Sequence, residues 1–156
     1  MDKTTFLQTI DRSHADWEAA LAQLTPQQRL QPGTSGEMTV KDTLVHITWF
    51  EREMLGMLQQ RALVGSPWWN LSTDARNAEI FQANRERTWE DVRGEADEVY
   101  PQLRQVLGAL DEEAYQVASA FREMPADWVP WQVIAGNTFE HYNHHLADLR
   151  SFLTKS

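Results

Sequence analysis

Two histidines lie four positions apart in the stretch NTFEHYNHHLADLRSFL, which covers residues 137–153 of the chain. An α-helix advances about 100° per residue, so His141 and His145 fall within about 20° of Ile134 on the same face. Leu149 shares this face, which makes it apolar. Two imidazoles one turn apart can converge on a single metal ion. Buried histidines are also held by ordinary hydrogen bonds, so this pattern leaves both interpretations open.

A third histidine falls on the apolar face of an earlier predicted helix. His46 shares its face with Thr39, Phe50 and Met57, which indicates that its side chain points into the core. Three imidazoles from two facing helices can hold a divalent metal and leave coordination positions open for water or substrate. A lone core histidine is more often a hydrogen-bonded packing residue, and this alternative stays open for His46.

Two further histidines are weaker candidates. His144 lies about 80° from the centre of the apolar face, so we expect it at a helix flank. As a neighbour of His145 it remains an alternative ligand. His14 lies at the edge of the apolar stripe of the first helix, and we interpret it as structural.

Two acidic residues are near enough in sequence to assist a histidine site. Glu53 shares the His46 face about 10 Å further along the helix, where it can orient a ligand or act as a catalytic base. A glutamate that reaches solvent or an arginine explains it as well. Asp42 can accept a hydrogen bond from a ligand histidine, or it can cap the start of its own helix.

Tryptophan is abundant, with seven in 156 residues. Large aromatic side chains often line ligand pockets. We expect an apolar pocket beside the histidines that binds a cofactor or substrate. Its predicted walls are Trp49, Trp68, Trp69 and Trp131.

Helical periodicity between clusters of glycine and proline predicts an all-α protein. No alternating strand pattern is visible, and residues 31–38 read as a loop. The expected architecture is a four-helix bundle in a single domain over residues 1–156, with a short extra helix between the second and third long helices. The long helices are predicted at residues 4–24, 39–63, 88–110 and 131–153, and the short one at 73–84.

Composition excludes several function classes. The net charge of −9 argues against nucleic acid or an anionic membrane as a partner, because both require clustered basic residues. The absence of cysteine excludes a cysteine nucleophile and thiolate metal ligands. No signal-like or membrane-spanning apolar segment is present, so a cytoplasmic protein is expected.

Three segments resemble the DinB-like superfamily of four-helix-bundle proteins, and most closely its DfsB/ClbS-like branch. They are TLVHITWFERE, which contains His46, ARNAEIFQANRERTWEDV, and WQVIAGNTFEHYNHHLADL, which contains His141 and His145. The resemblance covers roughly residues 39–153. It implies that His46, His141 and His145 bind a divalent transition metal (Zn, Ni, Fe or Mn), and that the protein is a homodimer.

The resemblance implies a choice between functions. Members of the superfamily include thiol-dependent transferases that join a low-molecular-weight thiol to an electrophile. This favours a metal-dependent transferase or hydrolase acting on a small electrophile, with Glu53 as a possible base. The alternative is a ClbS-like protein that binds or destroys a reactive small molecule without the metal. A third possibility is an interaction module.

Overall fold

The computed structural model describes all 156 residues and shows a bundle of α-helices with one small hairpin. No helix is both long enough and apolar enough to cross a bilayer. Two short 3₁₀ turns cover Pro67–Asn70 and Ala118–Ala120. The other elements, in chain order, are α1 (Lys3–Leu21), α2 (Pro26–Arg29), β1 (Pro32–Ser35), β2 (Met38–Thr39), α3 (Val40–Gln60), α4 (Thr73–Asn84), α5 (Trp89–Ala109), α6 (Glu113–Gln116), α7 (Pro130–Gly136) and α8 (Phe139–Lys155).

Helix α3, which carries His46, begins at a capping box. The Thr39 hydroxyl accepts a hydrogen bond from the Asp42 backbone N–H, and the Asp42 carboxylate accepts one from the Thr39 N–H. These bonds satisfy backbone donors that the first helical turn leaves free. Asp42 therefore serves as a helix cap, which is one of the two roles that its position in the sequence allowed.

The four long helices α1, α3, α5 and α8 enclose the core. Helix α3 packs along α5, and α1 packs along α8. Buried apolar side chains form a single cluster of 34 residues, with Trp17, Tyr115 and Tyr142 among its largest fully buried members. The predicted all-α bundle is therefore confirmed, and the short helix between α3 and α5 is present as α4.

The last predicted helix, at residues 131–153, is wrong as a continuous element. It is divided into α7 and α8 at Thr138, whose backbone angles (φ −129°, ψ −102°) are not helical. The side chains of Asn137 and Thr138 donate to the carbonyls of Val133 and Ile134, one turn earlier. Such local bonds compete with the backbone ladder and favour a break. The spacing of His141 and His145 is unaffected, because both lie in α8.

The segment predicted as a loop at residues 31–38 contains a short antiparallel hairpin, so the expectation of no strand was also wrong. Strand β1 pairs with β2 through Pro32 opposite Thr39 and Ser35 opposite Met38. Gly36, at the turn, has φ +60°, a conformation that glycine adopts at little cost. The hairpin leads directly into α3 and so fixes where that helix begins.

Candidate metal centre

Three imidazoles meet between α3 and α8. The Nε2 atom of His141 lies 2.9 Å from Nε2 of His46 and 3.0 Å from Nε2 of His145. Each of the three side chains offers one nitrogen atom to the group, and these three atoms all lie within 4.8 Å of one another. His46 comes from the first half of α3, and the other two occupy successive turns of α8. The structure therefore brings together the three histidines that the sequence singled out.

The three rings are held in their neutral form. His46 and His145 are buried, with 7% and 9% exposure. Burial, helped to a smaller extent by neighbouring imidazoles, lowers the pKa of His46 to about 3, that of His141 to about 2 and that of His145 to about 4, and Asp148 partly opposes the shift at His145. Removal from water disfavours the imidazolium cation. A nitrogen lone pair is therefore available on each ring at neutral pH.

The geometry fits a divalent metal held by imidazole nitrogens. Imidazole nitrogens bind such an ion at about 2.0–2.1 Å. Two of them are then about 2.9 Å apart if the N–metal–N angle is a right angle, and about 3.3 Å apart if it is tetrahedral. The observed separations of 2.9 and 3.0 Å match the first of these values. Nδ1 of His141 and Nδ1 of His145 make no hydrogen bond within the protein. The Nε2 atoms face one another, so they are the ones whose lone pairs an ion could share.

His144 lies outside this group of three. Its side chain is exposed, and its nitrogens approach only His145 and Asp148 among potential ligands. Asp148 places a carboxylate oxygen 3.8 Å from Nδ1 of His145. Of the two adjacent histidines, His145 is the one that joins His46 and His141.

Glu53 has partners of its own. Its Oε2 atom accepts hydrogen bonds from the Trp69 indole N–H at 2.7 Å and from the Ser66 backbone N–H at 2.8 Å. A Cβ atom added at Gly65 would lie 2.7 Å from the Trp69 indole nitrogen, so only glycine leaves room for this contact. These contacts favour a positioning role, in which Glu53 holds the tryptophan segment against α3.

Replacing Glu53 with alanine is expected to release Trp69 without displacing the three histidines. Loss of the acceptor leaves a half-buried indole N–H unpaired, which costs about 1–3 kcal/mol of stability. Urea unfolding and tryptophan fluorescence report these effects, and Glu53→Gln, which keeps an acceptor oxygen, is the matched control. A stable Glu53→Ala variant with unchanged fluorescence would contradict the positioning role.

An aromatic cluster adjoins the histidines. Phe50 lies 4.9 Å from the His46 ring, 4.7 Å from the His141 ring and 5.6 Å from the Trp69 ring, measured between centroids. Trp49 continues the cluster, with its ring 5.4 Å from that of Trp69. Phe50, which the sequence placed on the His46 face but not among the pocket walls, is the residue that links the two groups.

The predicted tryptophan wall forms in part. Trp49 and Trp68 stack with their ring centroids 6.0 Å apart, so Trp49, Trp68 and Trp69 do come together. Trp131 is half-buried in the first turn of α7 and makes no ring contact with them. Trp131 therefore lies outside the aromatic cluster beside the histidines.

Sequence reasoning missed a second acid, Glu51. This residue is 3% exposed, and its Oε1 accepts a 2.5 Å hydrogen bond from the hydroxyl of Tyr142. Burial raises the pKa of Glu51 to about 7, while the Tyr142 hydrogen bond partly opposes the shift. Its helical spacing offers a signal that residue type obscured, because the positions at −7, −4, +3, +4 and +7 from Glu51 are all apolar and buried: Leu44, Ile47, Met54, Leu55 and Leu58.

His14 is also placed in the interior, where its ring stacks on Tyr100 with centroids 3.3 Å apart. Burial lowers the pKa of His14 to about 4. It belongs to none of the possible metal groups, which agrees with the structural role expected from its position.

The fold and the site together define an all-α bundle with a three-histidine candidate metal centre. The sequence profile of the DinB superfamily matches residues 2–149, and the chain belongs to that superfamily. No curated protein matches the chain.

Solved structures share this fold at low sequence identity. The DfsB structure, described as a sibling lethal factor precursor, has a TM-score of 0.84 at 12% identity, over 99% of this chain and 96% of that one. ClbS, a colibactin self-resistance protein solved with double-stranded DNA, has a TM-score of 0.78 at 15% identity, over 97% and 95%. A protein from Streptococcus pneumoniae has a TM-score of 0.84 at 11% identity, over 99% and 91%.

Proposed function

We propose that the protein is a metal-dependent enzyme that acts on a small electrophilic molecule. The observation that carries this proposal is the convergence of three neutral, largely buried imidazole nitrogens from two helices. His46, His141 and His145 would hold a divalent transition metal, Zn, Ni, Fe or Mn. Three protein ligands leave at least one coordination position for water or substrate, as catalytic sites require.

The chemistry that such a metal supplies is a lowered pKa of a bound thiol or water at neutral pH. The chain itself supplies no thiol, because it has no cysteine. The nucleophile is therefore a low-molecular-weight thiol in a transferase, or water in a hydrolase. Phe50 lies beside His46 and His141, and Trp69 packs against Phe50, so one side of the site is apolar.

Reconstitution tests this proposal. The protein is stripped with chelator, reloaded singly with Zn²⁺, Ni²⁺, Mn²⁺ or Fe²⁺, and incubated with glutathione and 1-chloro-2,4-dinitrobenzene as model thiol and electrophile. We expect one equivalent of bound metal, a higher melting temperature, and metal-dependent loss of free thiol or of the electrophile. A protein that neither retains nor is stabilised by any of the four ions contradicts the metal-dependent function.

A second candidate is a metal-independent protein that binds or destroys a reactive small molecule. The contiguous cluster of Trp49, Trp68, Trp69 and Phe50 favours it, because aromatic surfaces bind apolar ligands. The fold shared with ClbS, whose description is self-resistance, also supports it. Here His46→Ala keeps full protection against an electrophilic toxin in a growth assay. Loss of protection in that variant favours the metal-dependent enzyme.

A further inference from the structure

A cavity lies away from the histidines, between α2, α3 and α5. It has a volume of about 440 Å³ and is formed by α2, the first turn of α3 and the segment that enters α5. Volumes of this size are typical of small-molecule sites. None of its lining residues belongs to the histidine group or to the aromatic cluster beside it.

Cations outnumber anions among the charged side chains of this cavity, although the chain as a whole carries a net charge of −9. Arg29, Lys41 and Arg87 line it, and the one carboxylate among the lining residues is that of Glu90, an exposed residue. A concave surface with one sign of charge concentrates ions of the opposite sign. The cavity is therefore a local attractor for anions on an acidic protein.

Two of these cations have no carboxylate partner. Lys41 is 7% exposed and donates only to the backbone carbonyls of Arg85 and Arg87, at 2.9 and 2.8 Å. Arg29 forms no ion pair, and its buried Nε makes no hydrogen bond within the protein. Arg87, by contrast, is paired with Glu95. An oxyanion beside Arg29 would supply the counter-charge that no carboxylate of the protein provides.

The cavity also presents apolar surface beside these charges. The guanidinium carbon of Arg29 lies 4.9 Å from the ring centroid of Trp89, which fixes the arginine side chain over the indole. Leu30, next in the chain, lines the cavity and is 56% exposed, the highest value among the large apolar side chains that remain open to solvent. A ligand with an anionic end and an apolar body satisfies both surfaces.

We propose that this cavity is a binding site for a small organic oxyanion, in which Arg29 and Lys41 attract a phosphate or carboxylate group and Leu30 and Trp89 contact the apolar part. Arg29 makes the charge-assisted hydrogen bond through its guanidinium, which lines the cavity and has no carboxylate partner. Lys41 contributes charge from a fixed position, held by its two carbonyl acceptors. The site does not depend on the histidine centre.

Calorimetric titration of the full chain with phenyl phosphate, inorganic phosphate and benzoate tests the proposal. Phenyl phosphate is expected to bind more tightly than inorganic phosphate, because only the former has an apolar body. Comparison of phenyl phosphate with benzoate distinguishes a phosphate from a carboxylate preference. Arg29→Met should weaken binding by about tenfold or more, since a charge-assisted hydrogen bond is lost. Arg150→Met, at an exposed arginine on α8, is the matched control and should bind like the wild type.

A second measurement uses the wild-type protein and so does not depend on the stability of Arg29→Met. The indole N–H resonance of Trp89, assigned by its loss in Trp89→Phe, should shift when phenyl phosphate is added to the wild-type protein. His46→Ala should show the same shift. The proposal is overturned if none of the three probes binds, if Arg29→Met and Arg150→Met bind equally well, or if the Trp89 resonance stays fixed while other resonances move.

Discussion

Replacing His141 with alanine is expected to lower the affinity for a divalent metal by at least about 100-fold. His141 is the central residue of the group, because its Nε2 is near those of both His46 and His145. Loss of a residue that merely orients a metal ligand costs about 10–100-fold in affinity. Loss of a ligand itself should cost at least as much, and the variant should lose the thermal stabilisation that metal gives the wild type.

The matched control for this prediction is His144→Ala. His144 is three residues from His141 on the same helix, but it is exposed and outside the group. Competition with a chromogenic chelator measures the affinity of each variant, and circular dichroism verifies that each is folded. Equal metal affinity in His141→Ala and His144→Ala would remove the basis for the proposed centre.

Replacing Glu51 with glutamine is expected to remove a large pH dependence of stability. The carboxyl has a pKa of about 7 in the folded protein against 4.5 as its ordinary value. The folded state therefore keeps a proton that the unfolded state releases, so the stabilisation is complete below pH 4.5 and is lost as pH rises through 7. The shift corresponds to about 3 kcal/mol. Glutamine cannot ionise, and it retains an acceptor for the Tyr142 hydroxyl.

The measurement compares free energies of unfolding in urea at pH 5 and pH 8, with chelator present throughout. Relative to Glu51→Gln, the wild type should lose about 3 kcal/mol between the two values. The histidines titrate in both proteins, so the difference isolates Glu51. Glu98→Gln, at an exposed glutamate on α5, should behave like the wild type. Parallel pH profiles for the wild type and Glu51→Gln would show that Glu51 is not held protonated in the fold.

The three candidate ligands were predictable from sequence because helical periodicity is a local property. His46, His141 and His145 each lie on an apolar helix face, and four amphipathic helices of similar length can bury those faces only against one another. The wheel also separated His145 from His144 correctly, since the two differ by one residue and hence by about 100°. His46, His141 and His145 converge in the structure because each lies on the face of its helix that points into the core.

Other features depend on side-chain hydrogen bonds and tertiary contacts that helical periodicity does not predict. The break before α8 comes from the side chains of Asn137 and Thr138, which bond to carbonyls of the preceding turn. Glu53 lies on the His46 face, but the segment containing Gly65 and Trp69 folds back and occupies its carboxylate. Glu51 was missed because an acidic residue is ordinarily solvated, even though its spacing places it on the apolar face of α3.

The most direct test of the account is X-ray absorption spectroscopy at the metal edge of protein reloaded with Zn²⁺ or Ni²⁺. We expect three imidazole nitrogens at about 2.0–2.1 Å from the ion, with the remaining positions filled by exchangeable oxygen ligands such as water. The spectrum of metal-loaded His141→Ala should show fewer imidazole ligands than that of the wild type. A spectrum with one imidazole or none, or one unchanged by His141→Ala, would contradict a metal held by the three histidines.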